Sequence, residues 1–130
     1  MRVFATRWFA RFMRKERIGE QQLCEAVGRA ARGSVDANLG GNLIKQRVAR
    51  KGGGRRGGYR VLIAHQSGRR AVLLYGFAKN ERDSIDPSEL ADLKKLTQRL
   101  ITLSEQEIAL ALRANELKEL HCHGESEDEV

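Results

Sequence analysis

The chain carries a set of cations suited to gripping a phosphate: Lys45, Arg47, Arg60, Lys79 and Arg82. Arginine presents a planar fork that binds two phosphate oxygens at once and stays charged. A lysine whose pKa is lowered by neighbouring cations can take or give a proton near neutrality. Metal-free cleavage of an RNA backbone needs such groups. The ribose 2′-OH attacks the adjacent phosphate, so one group accepts its proton, positive charge meets the phosphate oxygens, and a donor serves the leaving 5′-oxygen.

These residues have to be positioned, and the stretch from Gly57 to Arg82 is the natural scaffold. Two apolar runs, Tyr59 to His65 and Ala71 to Phe77, flank Ser67-Gly68, which is a β-hairpin signal. With Ser67 and Gly68 as a two-residue turn, Gln66 faces Arg69, Ile63 faces Val72 and Arg60 faces Tyr75. Opposite residues share a sheet face. Tyr59, Arg60 and the run Lys79 to Arg82 then meet at one end of the hairpin. The preceding run from Leu43 to Ala49 reads as a strand, with Ile44, Gln46 and Val48 on one face and Lys45 and Arg47 on the other. His65 lies near the turn, roughly 16 Å along the strand from Arg60 at ~3.3 Å per residue, and is read as an ordinary sheet residue.

The flanks read as helices. Thr6 caps a first helix with Trp8, Phe9, Phe12 and Met13 at helical spacing, ended by Gly19. A second helix spans about 20–32, and the pair suggests a helical hairpin packed on the sheet. Residues 2–5 suit a short strand, and residues 33–42 read as a loop. Asp86-Pro87-Ser88-Glu89 opens a third helix, with Asp86 as cap and Glu89 closing a capping box. Ser104 with Glu107 opens a fourth, and residues 116–120 suit a short edge strand. Strands in the middle and helices on the flanks make an α+β domain over residues 1–120, followed by an acidic, disordered tail over 121–130.

Charge points to the partner. Residues 1–80 hold 18 Lys and Arg against 4 Asp and Glu, while the last ten residues hold no Lys or Arg and 4 acids. A one-sign field of that size favours an anionic partner, nucleic acid first. The glycine-rich run 51–58 lacks the Gly-Lys-Ser/Thr ending of a Walker loop, and its Arg55 and Arg56 suit an RNA backbone. No apolar run is long enough to span a bilayer. With Arg7, Arg11, Arg14 and Lys15 interrupting any leader-like core, a cytoplasmic location is expected. Cys24 is read as core, and a disulfide with Cys122 is not expected in that compartment. His121, Cys122 and His123 are contiguous and lack the spaced pairs of a zinc site.

The sequence resembles bacterial toxins of the RelE/ParE superfamily, of the HigB-like kind, over roughly residues 2–120. The resemblance rests on Phe4 and Trp8-Phe9-Ala10, on Gly40-Gly41 leading into Leu43-Ile44-Lys45-Gln46-Arg47, on Gly58-Tyr59-Arg60, and on Tyr75-Gly76-Phe77-Ala78-Lys79-Asn80-Glu81-Arg82. It implies a small, mostly antiparallel sheet with helices packed on one face. It implies a toxin of a type II toxin–antitoxin system that arrests translation by cutting mRNA on the ribosome. It implies no metal or other cofactor, and an antitoxin, often a helix-turn-helix protein. It assigns Arg60 to the scissile phosphate and Lys45 and Arg47 to the catalytic groove, with Lys79 beside them. Arg55, Arg56, Tyr59, Tyr75 and Arg82 would contact RNA. The chain departs from RelE at Asn80, where RelE has a basic residue, and at Asp86, where it has a tyrosine. The general acid is thus unassigned, with Tyr75 and Lys79 as substitutes. Two other functions stay open on the residues: a ParE-like gyrase inhibitor, and a non-catalytic RNA- or ribosome-binding module.

Overall fold

The computed structural model of the 130-residue chain describes residues 1–50, 57–82 and 84–122. Arg55 and Arg56 lie outside the described residues, as does the acidic tail from His123 onward. The described elements run in the order β1 (Arg2–Thr6), α1 (Arg7–Glu16), α2 (Glu20–Ala31), β2 (Ala37–Gly40), β3 (Leu43–Val48), β4 (Tyr59–Gln66), β5 (Arg70–Ala78), α3 (Pro87–Ile101), α4 (Glu105–Arg113) and β6 (Leu117–Leu120). The strands form one six-stranded mixed sheet in the order β2-β3-β4-β5-β1-β6. β1 runs parallel to β5, and the other neighbours are antiparallel.

The fold is α+β, but its helices cover both faces of the sheet rather than one. α1 and α2 pack over Val3, Ala5, Ile44, Val48, Val61, Ile63 and Leu73. α3 and α4 pack over Phe4, Leu43, Leu62, Ala64, Val72 and Phe77. The composition of β4 demands this. Residues 61–64 (Val-Leu-Ile-Ala) are all fully buried, with no polar alternate to give a wet side. A strand apolar on both faces needs cover on both. On their shared face, α1 lies against β5, β1 and β6, and α2 against β3.

Local chemistry sets the boundaries. Thr6 accepts from the Phe9 N–H at 3.2 Å and caps α1. α1 ends not at Gly19 but at Arg17, which takes the left-handed conformation at φ 58°, while Ile18 N–H reaches back to Met13 O at 2.9 Å. Gly19 instead precedes α2 as its N-cap. Asp86 caps α3 and Ser104 caps α4, the latter with Glu107 completing the box.

The expected loop over 33–42 contains β2. Gly41 and Asn42 both have positive φ (61° and 69°) and sit between the paired residues Gly40 and Leu43. That is the two-residue primed turn matching the twist of a hairpin, so the Gly-rich run is a turn with a strand before it. The β4–β5 hairpin differs as well. Gln66 pairs with Arg70, and the Arg69 N–H closes on Gln66 O at 3.0 Å, with Gly68 at φ 76°. A register shift between Leu62 and Ile63 then leaves Leu74 as an extra residue. In consequence Arg60 faces Phe77, and Tyr75 faces Leu62.

One polar side chain is built into the first core. Gln46 is 0% exposed on the apolar face of β3. Its amide donates to Ala26 O (2.9 Å) and Ser34 O (3.2 Å), and its carbonyl accepts from Asp36 N–H (2.7 Å). A buried polar group without such partners costs about 1–3 kcal/mol. With them, it bolts β3 to the middle of α2 and to the segment leading into β2.

Cys24 and Cys122 form a disulfide, with Cα atoms 5.5 Å apart across a separation of 98 residues. This corrects the expectation from location. The bond joins the chain just beyond β6 to α2, and the His121 N–H donates to Glu20 beside it at 3.0 Å. Cys24 is half-buried rather than core. Among the described residues no helix is long and apolar enough to cross a membrane, and no group of three or more His, Cys, Asp or Glu is placed to hold a metal ion.

Candidate active site

β3 alternates so that Lys45 and Arg47 share the α3 side of the sheet with Leu43. Pairing continues the pattern across the strands. One row runs Arg47, Arg60, Phe77, and the next runs Lys45, Leu62, Tyr75. Toward the hairpin turn, Leu93 and Leu100 of α3 cover this face as part of the second core. The row of Arg47 and Arg60 lies at the opposite ends of the strands from that turn.

The Arg47–Arg60 pair has a defined geometry. β2 reaches only to Ala37, opposite Lys45, so the edge-facing backbone of Arg47 has no strand partner. Side chains replace it. Asp36 accepts from the Arg47 N–H at 2.7 Å, and the Arg29 guanidinium donates to Arg47 O. Arg29 and Asp36 are themselves paired at 3.1 Å, and Glu25 takes Arg29 Nε at 2.8 Å. Burial raises the Asp36 carboxyl, but its hydrogen bond from Arg47 and the Arg29 charge outweigh that and hold it below the usual carboxylate range. Because the Arg47 backbone points outward, its pairing with Arg60 is of the non-hydrogen-bonded kind, where opposite side chains stand closest. Two like charges in that position repel. Two guanidinium forks so placed can grip one anion from two sides.

Arg60 is 8% exposed, and its guanidinium reaches the Tyr59 carbonyl at 3.4 Å. Lys79 follows β5 directly, with its N–H on Gly58 O at 3.0 Å. The structure therefore brings Lys45, Arg47, Arg60 and the start of the Lys79 run to one end of one sheet face. Tyr59 does not join them. Its ring is buried on the opposite face, edge-on to Phe12, and its hydroxyl donates to Glu16 O at 3.3 Å. Strand alternation forces this: neighbours in sequence cannot share a face. His65 stands at the turn end, with burial lowering its pKa.

On the β5 side a second cluster closes the area. Arg82 donates to Glu89 at 2.6 Å and to the Tyr75 hydroxyl at 3.2 Å, and its guanidinium lies 5.4 Å from the Phe77 ring centroid. The Tyr75 hydroxyl also donates to Glu89 at 3.2 Å, and its ring stacks on Trp8 at 4.7 Å. Arg82 and Tyr75 are thus held by each other and by Glu89. Glu89 does not close a capping box on α3; its carboxylate turns back to Arg82. Nothing in the local pattern distinguishes the two, because Asp86-x-x-Glu89 is a valid box and the partner lies outside the helix. Burial, then the Glu89 charge, raises the Tyr75 phenol above its ordinary value, so it stays protonated.

The Glu89 carboxyl is held below its ordinary 4.5, chiefly by its hydrogen bond from Arg82. A depressed carboxylate stabilises the fold fully above 4.5 and loses that contribution as pH falls through the lower folded value. Glu89→Gln is therefore expected to lower the melting temperature near neutrality. The gap to the parent should narrow as the pH falls below 4.5. Melting curves across that range check it, and a constant gap would reject the ion pair as its cause.

A comparison with protein-family models matches residues 1–120 to RelE, the toxin of the RelE/RelB toxin–antitoxin system. No curated protein matches the chain. The match covers the whole sheet and all four described helices, including the faces that carry Lys45, Arg47 and Arg60. The chain belongs to the RelE toxin family.

Proposed function

We propose that this toxin, of the HigB-like kind, arrests translation by cutting mRNA on the ribosome, using its own side chains in place of a metal. The observation that carries the reading is the facing pair Arg47 and Arg60 with Lys45 in the adjacent row of the same face. Arg60 and Arg47 clamp the scissile phosphate and meet the charge that grows on its oxygens. Lys45 accepts the proton of the attacking 2′-OH. Lys79, at the end of β5 beside Gly58, is assigned as the donor to the leaving 5′-oxygen, with Tyr75 as its substitute. The antitoxin expected of a RelE/RelB pair, in our reading a helix-turn-helix protein, neutralises it by denying mRNA this face.

The test is to map 5′ ends on a defined mRNA in a translating extract, with and without the protein freed of antitoxin. New cuts inside the open reading frame that vanish when translation is blocked are the expected result. Cuts on naked RNA would make it a self-sufficient nuclease. No cuts from folded protein would overturn the reading.

A further inference from the structure

A second basic surface lies on the other side of the sheet. Arg7, Arg11 and Arg14 recur at i, i+4 and i+7 along α1, which places them on one face of that helix. They span about 10 Å of helix at 1.5 Å per residue. The opposite stripe, Phe9, Ala10 and Met13, is buried against the sheet. Lys118 of the edge strand β6 faces the arginines across a groove of about 570 Å³.

Most of this charge is not used internally. Arg7 is fixed, donating to the carbonyls of Ala114 and Asn115 at 3.1 Å each. Arg11, Arg14 and Lys118 are exposed and have no side-chain partner among the described residues. The acid lining the groove, Glu119, is taken by Arg2 at 2.9 Å through both of its oxygens. α1 has no acid in its first turn, and Arg14 and Lys15 stand in its last. The cations therefore face solvent as an uncompensated row. Of the apolar residues lining the groove, Ala10 and Leu117 are buried and Leu112 is half-buried, and no aromatic ring lines it, so it offers no fully exposed aromatic or aliphatic anchor. Protein partners are held chiefly by such anchors, whereas a phosphate backbone needs charge alone.

We infer that this groove is a second RNA-docking surface, which takes the backbone phosphates of folded RNA while the Arg47–Arg60 face takes the strand to be cut. That the folded RNA is ribosomal rests on the function proposed above. The two surfaces lie on opposite sides of the sheet, since α1 packs over Val3 and Ala5 while Arg60 stands on the Phe77 side. One strand lying in the site does not fill both. The groove fixes the toxin on the particle and carries no sequence preference.

The test compares the parent, a triple variant (Arg11→Ala, Arg14→Ala, Lys118→Ala) and Arg60→Ala for binding to purified mRNA-free ribosomes and to folded ribosomal RNA over a salt series. Melting curves establish that each is folded. The triple variant is expected to bind about tenfold or more weakly, with the slope of log affinity on log salt reduced by about 2–3, while Arg60→Ala keeps most of the parent slope. This readout does not depend on cleavage: a parent that cuts no mRNA but shows the slope change refutes the proposed function and leaves the groove standing. Parent-like affinity and slope in the triple variant overturn the inference. So does a triple variant that binds RNA normally and has lost only its antitoxin, which would make the groove a protein surface.

Discussion

Arg60→Ala is expected to abolish the proposed mRNA cleavage and to leave the protein folded. Arg60 is 8% exposed, in the middle of the Arg47, Arg60, Phe77 row. Arg60 belongs to neither apolar core, so truncating it leaves the packing of both in place. In the proposed reaction the same residue would meet a phosphate whose charge grows toward the transition state. Losing one such preorganised donor costs about 10²–10³-fold in rate. Here it also halves the arginine pair, so cleavage is expected to fall by at least that factor. Arg60→Lys separates charge from shape: it keeps the cation but loses the two-pronged grip, so it should recover only part of the activity. Single-turnover cleavage on programmed ribosomes, beside melting curves, gives both readouts. A folded Arg60→Ala protein that cuts at the parent rate would remove Arg60 from the site.

Parts of this arrangement are legible in the sequence because they are local. The caps at Thr6, Asp86 and Ser104 depend on residues within one turn, and each is found where the pattern places it. The faces of β3 follow from period-2 alternation, which suffices to put Lys45 and Arg47 together. What is not legible depends on distant partners or on a single extra residue. The longer turn, which pairs Gln66 with Arg70, and the bulge at Leu62 each shift the register by one residue and together change the partner of Arg60 from Tyr75 to Phe77, and nothing in the two apolar runs reveals the bulge. Glu89 fits a capping box as well as it fits its observed pairing with Arg82. The Asp36 and Arg29 clasp on Arg47 lies in what reads as loop and in a helix, and only the end of β2 at Ala37 makes it necessary. The disulfide joins residues 98 apart, and the location inferred from the sequence argued against it. Gly41-Asn42 is the one signal that was present and local, a primed hairpin turn inside a Gly-rich run.

The same dependence on close backbone approach makes Gly58 the second large effect. Its φ is not in the left-handed region, so conformational freedom is not the reason for glycine there. Space is. A Cβ at Gly58 would fall on the Val48 carbonyl oxygen and lie 2.7 Å from the Arg50 amide nitrogen and 3.0 Å from the Ala49 carbonyl carbon. All three are backbone atoms at the end of β3, so no side chain can swing aside. On its other side, Gly58 O accepts from the Lys79 N–H at 3.0 Å, so the residue is pinned between the ends of two strands. Gly58→Ala is therefore expected to cost about 3 kcal/mol, the upper end of what overpacking costs. For a chain of this size that is a fall of about 10 °C in melting temperature. The strand that must shift begins at Tyr59, so Arg60 moves relative to Arg47 and cleavage falls well beyond the loss of folded protein. Gly57→Ala is the control. Gly57 is exposed with nothing within 4 Å of its Cβ position, and its substitution should stay within about 0.5 kcal/mol of the parent. Melting curves with cleavage rates normalised to folded protein distinguish the two positions. If Gly58→Ala melts and cuts like Gly57→Ala, the approach of β3 to Gly58 does not set the spacing of the arginine pair.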